Sequence, residues 1–125
     1  MSVSAPARQS RPSGSPAAGH PLPDDLVELI ALRFRALSEP TRIKLLDRLR
    51  EGEASVLELT RIVGTTEQNV SKHLGVLQRA GILARRKDGN FAYYRILDEG
   101  VFVLCEAVCG SLQQQAESLR RIVGA

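Results

Sequence analysis

Residues 65–80 read TTEQNVSKHLGVLQRA. Thr65 and Thr66 offer a hydroxyl that can cap a helix, Glu67 suits the positive end of its dipole, and Val70, Leu74 and Leu77 recur at helical spacing. This pattern predicts a helix from Thr66 to about Ala80, closed by Gly81, apolar on one side and polar on the other. Just upstream, Leu57, Leu59, Ile62 and Val63 predict a helix of only two turns that Gly64 ends. Two helices joined by a tight glycine-containing turn form a helix-turn-helix, here over residues 57–80, whose second helix can lie in a DNA major groove.

If Val70, Leu74 and Leu77 face inward, the opposite face of the second helix carries Gln68, Asn69, Ser71, Lys72 and His73, with Thr66 at its start. Amide side chains pair bidentately with adenine, hydroxyls pair with several base edges, and lysine reaches guanine or phosphate. A polar helix face alone is ordinarily a solvated face, so the next segment matters. Residues 82–96, ILARRKDGNFAYYRI, change from helical to alternating period, and Asp88-Gly89-Asn90 supplies a turn between two strands. The hairpin presents Arg85, Arg86, Lys87 and Asn90, placed to grip phosphates or the minor groove. Its adjacent tyrosines alternate faces, so one of Tyr93 and Tyr94 packs inward and the other flanks the nucleic acid. From Gln68 to Arg95 six bases stand against the single acid Asp88, whereas Asp98 to Glu117 holds four acids and no base. The formal charge of the whole chain is only +3, so this distribution, rather than the net charge, points to a polyanionic partner.

Residues 1–22 are rich in Ser, Pro, Ala and Gly and predict a disordered N-terminal tail; residues 23–125 form a single winged-helix DNA-binding and dimerisation domain. Pro23, Asp24 and Asp25 open a first helix with Leu26, Ile30, Phe34 and Leu37 on one side. Ser38 and Pro40 mark the start of a second helix, carrying Ile43, Leu46 and Leu49 to Gly52, and an extended piece follows near Ala54–Val56. The last helix is expected over about 98–122. Along it Val101, Cys105, Val108, Leu112, Gln115, Leu119 and Ile122 follow the four-and-three spacing of a seam that packs on another helix. So small a monomer has little to cover such a stripe, which predicts a homodimer joined through the first and last helices. A two-fold axis suits the palindromic half-sites that helix-turn-helix proteins read. The expected fold is therefore mainly α with a small β-hairpin wing.

No apolar run approaches the ~20 residues of a membrane span, and the N-terminus lacks an apolar signal core, so a cytoplasmic protein without a membrane partner is expected. Two cysteines are too few for a disulfide framework. No Ser/His/Asp constellation, phosphate-binding glycine loop or histidine pair appears, which argues against an enzyme. A winged helix devoted to protein contact is disfavoured by the basic wing beside a polar reading face.

The runs ALSEPTRIKLLDRL (36–49), TTEQNVSKHLGVLQRAGIL (65–83) and RRKDGNFAYYRI (85–96) resemble the ArsR/SmtB family of winged-helix repressors across about residues 26–115. The resemblance implies a homodimer that represses an operon until a metal ion or other small inducer binds, releasing double-stranded operator DNA. It maps Gln68, Asn69, Ser71 and His73 to the groove-facing stretch and 85–95 to the wing; for His73 a hydrogen-bonding or phosphate contact and a purely structural role both stay open, while a metal role is disfavoured by its place within this helix. The family's best-known sensor sites are not reproduced. Ala54, Ser55, Val56 and Leu57 offer no ligand at the start of the third helix. In the last helix Asp98 is present, but Gly100, Ser111 and Gln114 stand where other ligands would be expected.

Two roles are open for Cys105 and Cys109. Both are small residues suited to packing, in which case the regulator answers a non-metal ligand or none. Alternatively, two thiols one helical turn apart, doubled by a dimer axis, form an inducer site for a thiophilic metal or metalloid ion, or for an oxidant.

Overall fold

A computed structural model describes residues 20–124; most of the tail expected over 1–22 lies outside the described residues. Five helices and three short strands follow in the order α1 (Asp24–Leu37), α2 (Pro40–Leu49), β1 (Ala54–Ser55), α3 (Val56–Val63), α4 (Glu67–Arg79), β2 (Leu83–Asp88), β3 (Phe91–Ile96) and α5 (Gly100–Ile122). None of the described helices is long and apolar enough to cross a membrane.

Helix starts are set by specific caps. Glu39, rather than Ser38, is the N-cap of α2, its carboxylate accepting from the amides of Thr41 at 2.7 Å and Arg42 at 3.3 Å. Ser55 and Glu58 form a reciprocal capping box at α3, and the Thr66 hydroxyl accepts from the Asn69 amide at 3.1 Å to open α4. Pro23 is the N-cap of α1 instead of lying in its first turn, and Asp98 precedes α5, accepting from the Gly100 amide at 2.9 Å.

Two glycines set the geometry between elements. Gly64 ends α3 in the left-handed region, φ 73°, making the sharp turn into α4. Gly81, φ 81°, ends α4; its amide bonds Gln78 O and the Ile82 amide bonds Leu77 O, both at 3.0 Å, the paired closure of a Schellman motif. The chain thereby passes from α4 to the first wing strand through a turn of only three residues, Ala80, Gly81 and Ile82.

The extended piece near Ala54 becomes part of a sheet. β1 pairs antiparallel with β3, giving the order β1-β3-β2, with Ala54 opposite Tyr94 and Ser55 opposite Tyr93. This third strand is only two residues long, too short for periodicity to announce.

The core joins Leu45, Leu46 and Leu49 of α2, Leu59 of α3, Val70, Leu74 and Leu77 of α4, and Ile82, Leu83 and Tyr94 of the wing base. Each fully buried leucine contributes about 1.5–3 kcal/mol. From α1 only Ala36 and Leu37 are buried, and from α5 only Val101 and Phe102. Arg33 of α1 pairs with Asp98, and Arg50 pairs with Glu106 at 3.1 Å while stacking 4.3 Å above Phe102, holding the first turns of α5 to the body.

Candidate nucleic-acid interface

The side of α4 opposite Val70, Leu74 and Leu77 exposes Gln68, Ser71 and Lys72 to solvent, with Thr66 exposed at its cap. Asn69 is half-buried, its amide nitrogen donating to the Thr65 hydroxyl at 3.3 Å. Gln68, Ser71 and Lys72 are thus the side chains whose polar ends are most available to base edges.

For His73, open between a DNA contact and a structural role, the burial favours the structural one: it is 9% exposed, because it lies three residues after Val70 and one before Leu74, on the apolar stripe itself. Its Nδ1 lies 3.0 Å from an Arg42 guanidinium nitrogen. A guanidinium only donates, so Nδ1 is the acceptor in this contact, and Nε2 faces a Glu39 carboxylate oxygen at 3.9 Å. Arg42 also donates through Nε to Ala36 O at 2.7 Å and through a terminal nitrogen to Arg35 O at 3.3 Å. One guanidinium therefore ties the end of α1 to the middle of the reading helix. Partial burial pushes the Glu39 carboxyl up, but the Thr41 and Arg42 amides and the nearby His73 and Arg42 outweigh this and hold it below the ordinary 4.5. Glu39 and Arg42 belong to a run that carries the family resemblance, but their contact with His73 was not legible, since a pair 31 positions apart leaves no local trace.

On the wing, Arg85, Arg86, Lys87 and Asn90 are all exposed, but they are not equivalent. Arg86 is gripped by Glu53 through two bonds of 2.8 and 2.9 Å, lies 3.8 Å from Asp88 and stacks 4.5 Å over Tyr93. The fork-to-carboxylate geometry pushes the Arg86 guanidinium up and the Glu53 carboxyl down from their ordinary values. Among the described residues, Lys72, Arg85, Lys87 and Arg95 make no ion pair. Tyr94 turns into the core and Tyr93 stays half-exposed, the division expected of alternating strand neighbours.

A third region lies away from both. Cys105, half-buried, and Cys109, exposed, line one groove of about 670 Å³ between the end of α1, the start of α2 and α5. Among the described residues no group of three or more His, Cys, Asp or Glu could hold a metal ion, so one protomer supplies two thiols and no closed coordination shell.

Residues 37–86 match the family model of a helix-turn-helix domain. KmtR, an HTH-type transcriptional regulator of Mycobacterium tuberculosis, is 42% identical over 81 residues, 65% of this chain and 62% of KmtR. The crystal structure of M. tuberculosis Rv0081 is 38% identical, with a TM-score of 0.64 over 78% of this chain and 98% of that one. The homodimeric winged helix-turn-helix DNA-binding domain of Mycobacterium bovis Mb0332, described as a possible ArsR-family regulator, is 27% identical with a TM-score of 0.68, covering 80% and 95%. The chain belongs to the ArsR family. It spans just under two thirds of the length of the curated relatives, 62% for KmtR and 65% for Rv0081. As an ArsR-family winged helix, it carries α3 and α4 as its helix-turn-helix and β2–β3 as its wing.

Proposed function

We propose that the protein is a homodimeric, sequence-specific DNA-binding repressor that an inducer releases from operator DNA. What supports this reading is the exposure of Gln68, Ser71 and Lys72 on the face of α4 opposite its buried aliphatics, together with the exposed cations Arg85 and Lys87, unpaired among the described residues, on the hairpin that follows α4 in the chain. Gln68 and Ser71 read base edges, with Thr66 and Asn69 fixing the start of the helix. Lys72, Arg85, Lys87 and Asn90 hold phosphates or the minor groove. Arg86 is a weaker contributor while Glu53 neutralises it.

Dimerisation is supported by apolar side chains that the monomer leaves in water. Leu29 and Phe34 on α1 are 62% and 52% exposed, and Leu112, Leu119 and Ile122 on α5 are 59%, 62% and 79% exposed. A second copy packing α1 and α5 against their equivalents covers them and presents two reading helices about a two-fold axis. The protein acts in the cytoplasm as a binding protein without catalytic activity, in keeping with a family of transcriptional regulators.

Cys105 packs against the core while Cys109 is exposed, and because both line the same groove we assign the pair to inducer sensing. The deciding experiment is a gel shift with the protein's own upstream DNA over a salt series. Affinity should fall steeply as salt rises, and shifted complexes should contain two chains. Absent or salt-insensitive binding would refute the proposal.

A further inference from the structure

Helix α4 carries a glycine, Gly75, in its interior, where glycine weakens a helix relative to alanine. A Cβ at this position would lie 3.1 Å from Nη1 of Arg79 and 3.7 Å from its Cζ and Nη2. The Arg79 guanidinium therefore folds back one turn and rests over the bare backbone of Gly75, in space that a side chain there would need. Gln68, Lys72, Gly75 and Arg79 are spaced four, three and four apart, so all four share the polar face of the helix. Arg79 also lines a recess between α1, the start of α2 and α4, together with Arg35 and Arg42; the rest of that lining is aliphatic and holds no carboxylate. Among the described residues none of the three arginines makes an ion pair. Glu39 acts on Arg42 through its charge, but its carboxylate is engaged by the Thr41 and Arg42 amides. Arg42 is half-buried and held by Ala36 O, Arg35 O and His73 Nδ1, which leaves two of its five N–H groups undirected. Three like charges on one recess, one fixed and two exposed, repel one another until an anion joins them. The proposed two-fold contact leaves this recess open. Leu32 and Ala36 each stand two residues from Phe34 and so face away from it, toward Val76 and Ala80 of α4. An identical copy, moreover, has only more arginine to bring against the same patch.

We propose that Arg35, Arg42 and Arg79 form a phosphate-binding site beside the C-terminal half of α4, and that Gly75 is the notch that seats the Arg79 guanidinium for it. Arginine forks present paired N–H donors that match phosphate oxygens, and aliphatic walls strengthen such bonds by excluding water. The phosphate is either a backbone phosphate of operator DNA, met as α4 enters the groove, or one carried by a free small molecule. The DNA source rests on the repressor proposal above; the site itself does not. Arg42 gives the site a mechanical consequence. The same guanidinium holds the end of α1 and His73, so a phosphate bound there engages the group that fixes how α4 sits.

Two measurements on the full-length protein test this. Without DNA, the arginine side-chain Nε–H signals are followed by NMR as inorganic phosphate replaces chloride at constant ionic strength. Those of Arg35, Arg42 and Arg79 should shift together and saturate, while those of the exposed Arg61 and Arg121 remain unmoved. Arg79→Gln should weaken this binding about tenfold, the worth of one charge-assisted bond. With DNA, Arg35→Gln and Arg79→Gln should each flatten the gel-shift salt slope by about one phosphate equivalent per protomer if the phosphate belongs to the operator. A saturable phosphate response with an unchanged slope assigns the site to a free phosphate; a flattened slope alone assigns it to DNA. Gly75→Ala removes no charge and adds a better helix former, so its urea midpoint should hold or rise while its ligand binding falls to the level of Arg79→Gln. The two substitutions together should do no more than either one. Phosphate shifts that never saturate or spread over all arginines, with an unaltered slope in both arginine variants, would overturn the proposal. So would a full further loss from Gly75→Ala in the Arg79→Gln background, since the methyl would then be blocking the ligand itself. If the protein binds no DNA, the repressor assignment falls and a saturable phosphate response leaves this site standing.

Discussion

Replacing Arg42 with Met keeps the apolar stem and removes the guanidinium, which isolates the link between α1 and the reading helix. Three hydrogen bonds disappear: 2.7 Å to Ala36 O, 3.0 Å to His73 Nδ1 and 3.3 Å to Arg35 O. The two shorter ones contribute about 1 kcal/mol each, and the longest adds little because it is exposed. His73 Nδ1 is then left at a site with 9% exposure without its donor, a further cost of about 1 kcal/mol. The sum is about 3 kcal/mol, or a melting point lower by roughly 10–20 °C for a domain of this size. Urea unfolding followed by circular dichroism at fixed protein concentration measures it. Arg42→Lys should recover little, since a single ammonium cannot span three acceptors. In a double-mutant cycle Arg42→Met and His73→Phe should couple by about 1 kcal/mol. A loss below about 0.5 kcal/mol for Arg42→Met, or strict additivity with His73→Phe, would show that the guanidinium is a solvated bystander and that the reading helix is oriented by its leucines alone.

Further outcomes concern the DNA face, acid stability and assembly. Glu53→Gln should free Arg86, steepening the salt dependence of DNA binding by about one phosphate equivalent per protomer; an unchanged slope in the gel-shift series would contradict this. Gln68→Ala and Ser71→Ala should each relax discrimination between operator and altered sites, whereas Lys72→Ala and Arg85→Ala should weaken all sequences alike, as competition binding would reveal. The carboxyls of Glu39, Glu53 and Glu58 titrate below 4.5 in the folded chain. The stability they add is therefore fully present above that value and is lost as pH falls through the folded-state values; urea midpoints from pH 6 down to pH 3 should fall, and less so in Glu53→Gln. Leu119→Asp should yield monomers by sedimentation and a loss of operator affinity, while the core absorption and helix content of residues 40–96 persist.

Helix α4 was legible because its three buried aliphatics, its threonine cap and its terminal glycine are all local signals, and the hairpin because Asp88-Gly89-Asn90 is a turn sequence between two short runs without helical period. Glu39 as a cap was obscured by its neighbour Ser38, the commoner capping residue. His73 carried a usable sign, its position on the stripe of Val70, Leu74 and Leu77, which a polar residue type made easy to assign outward. The Arg86 grip by Glu53 joins residues 33 apart, and the two-residue strand β1 exists only because Tyr93 and Tyr94 offer it an edge. Long-range pairs of this kind are fixed by packing, not by any pattern within reach of a turn or a strand.

Beyond Gly110 every described residue of α5 is exposed. At about 1.5 Å of rise per residue its 23 residues reach roughly 35 Å, and no side chain of the outer half is buried against its own chain. That half acquires a buried side only on meeting a second chain, so ordering it and assembling the dimer are one equilibrium. On the proposed function, mass action then couples cellular abundance to competence, because the paired α4 helices that would span an operator form only as the chains assemble. A repressor built this way measures its own concentration before it measures anything else.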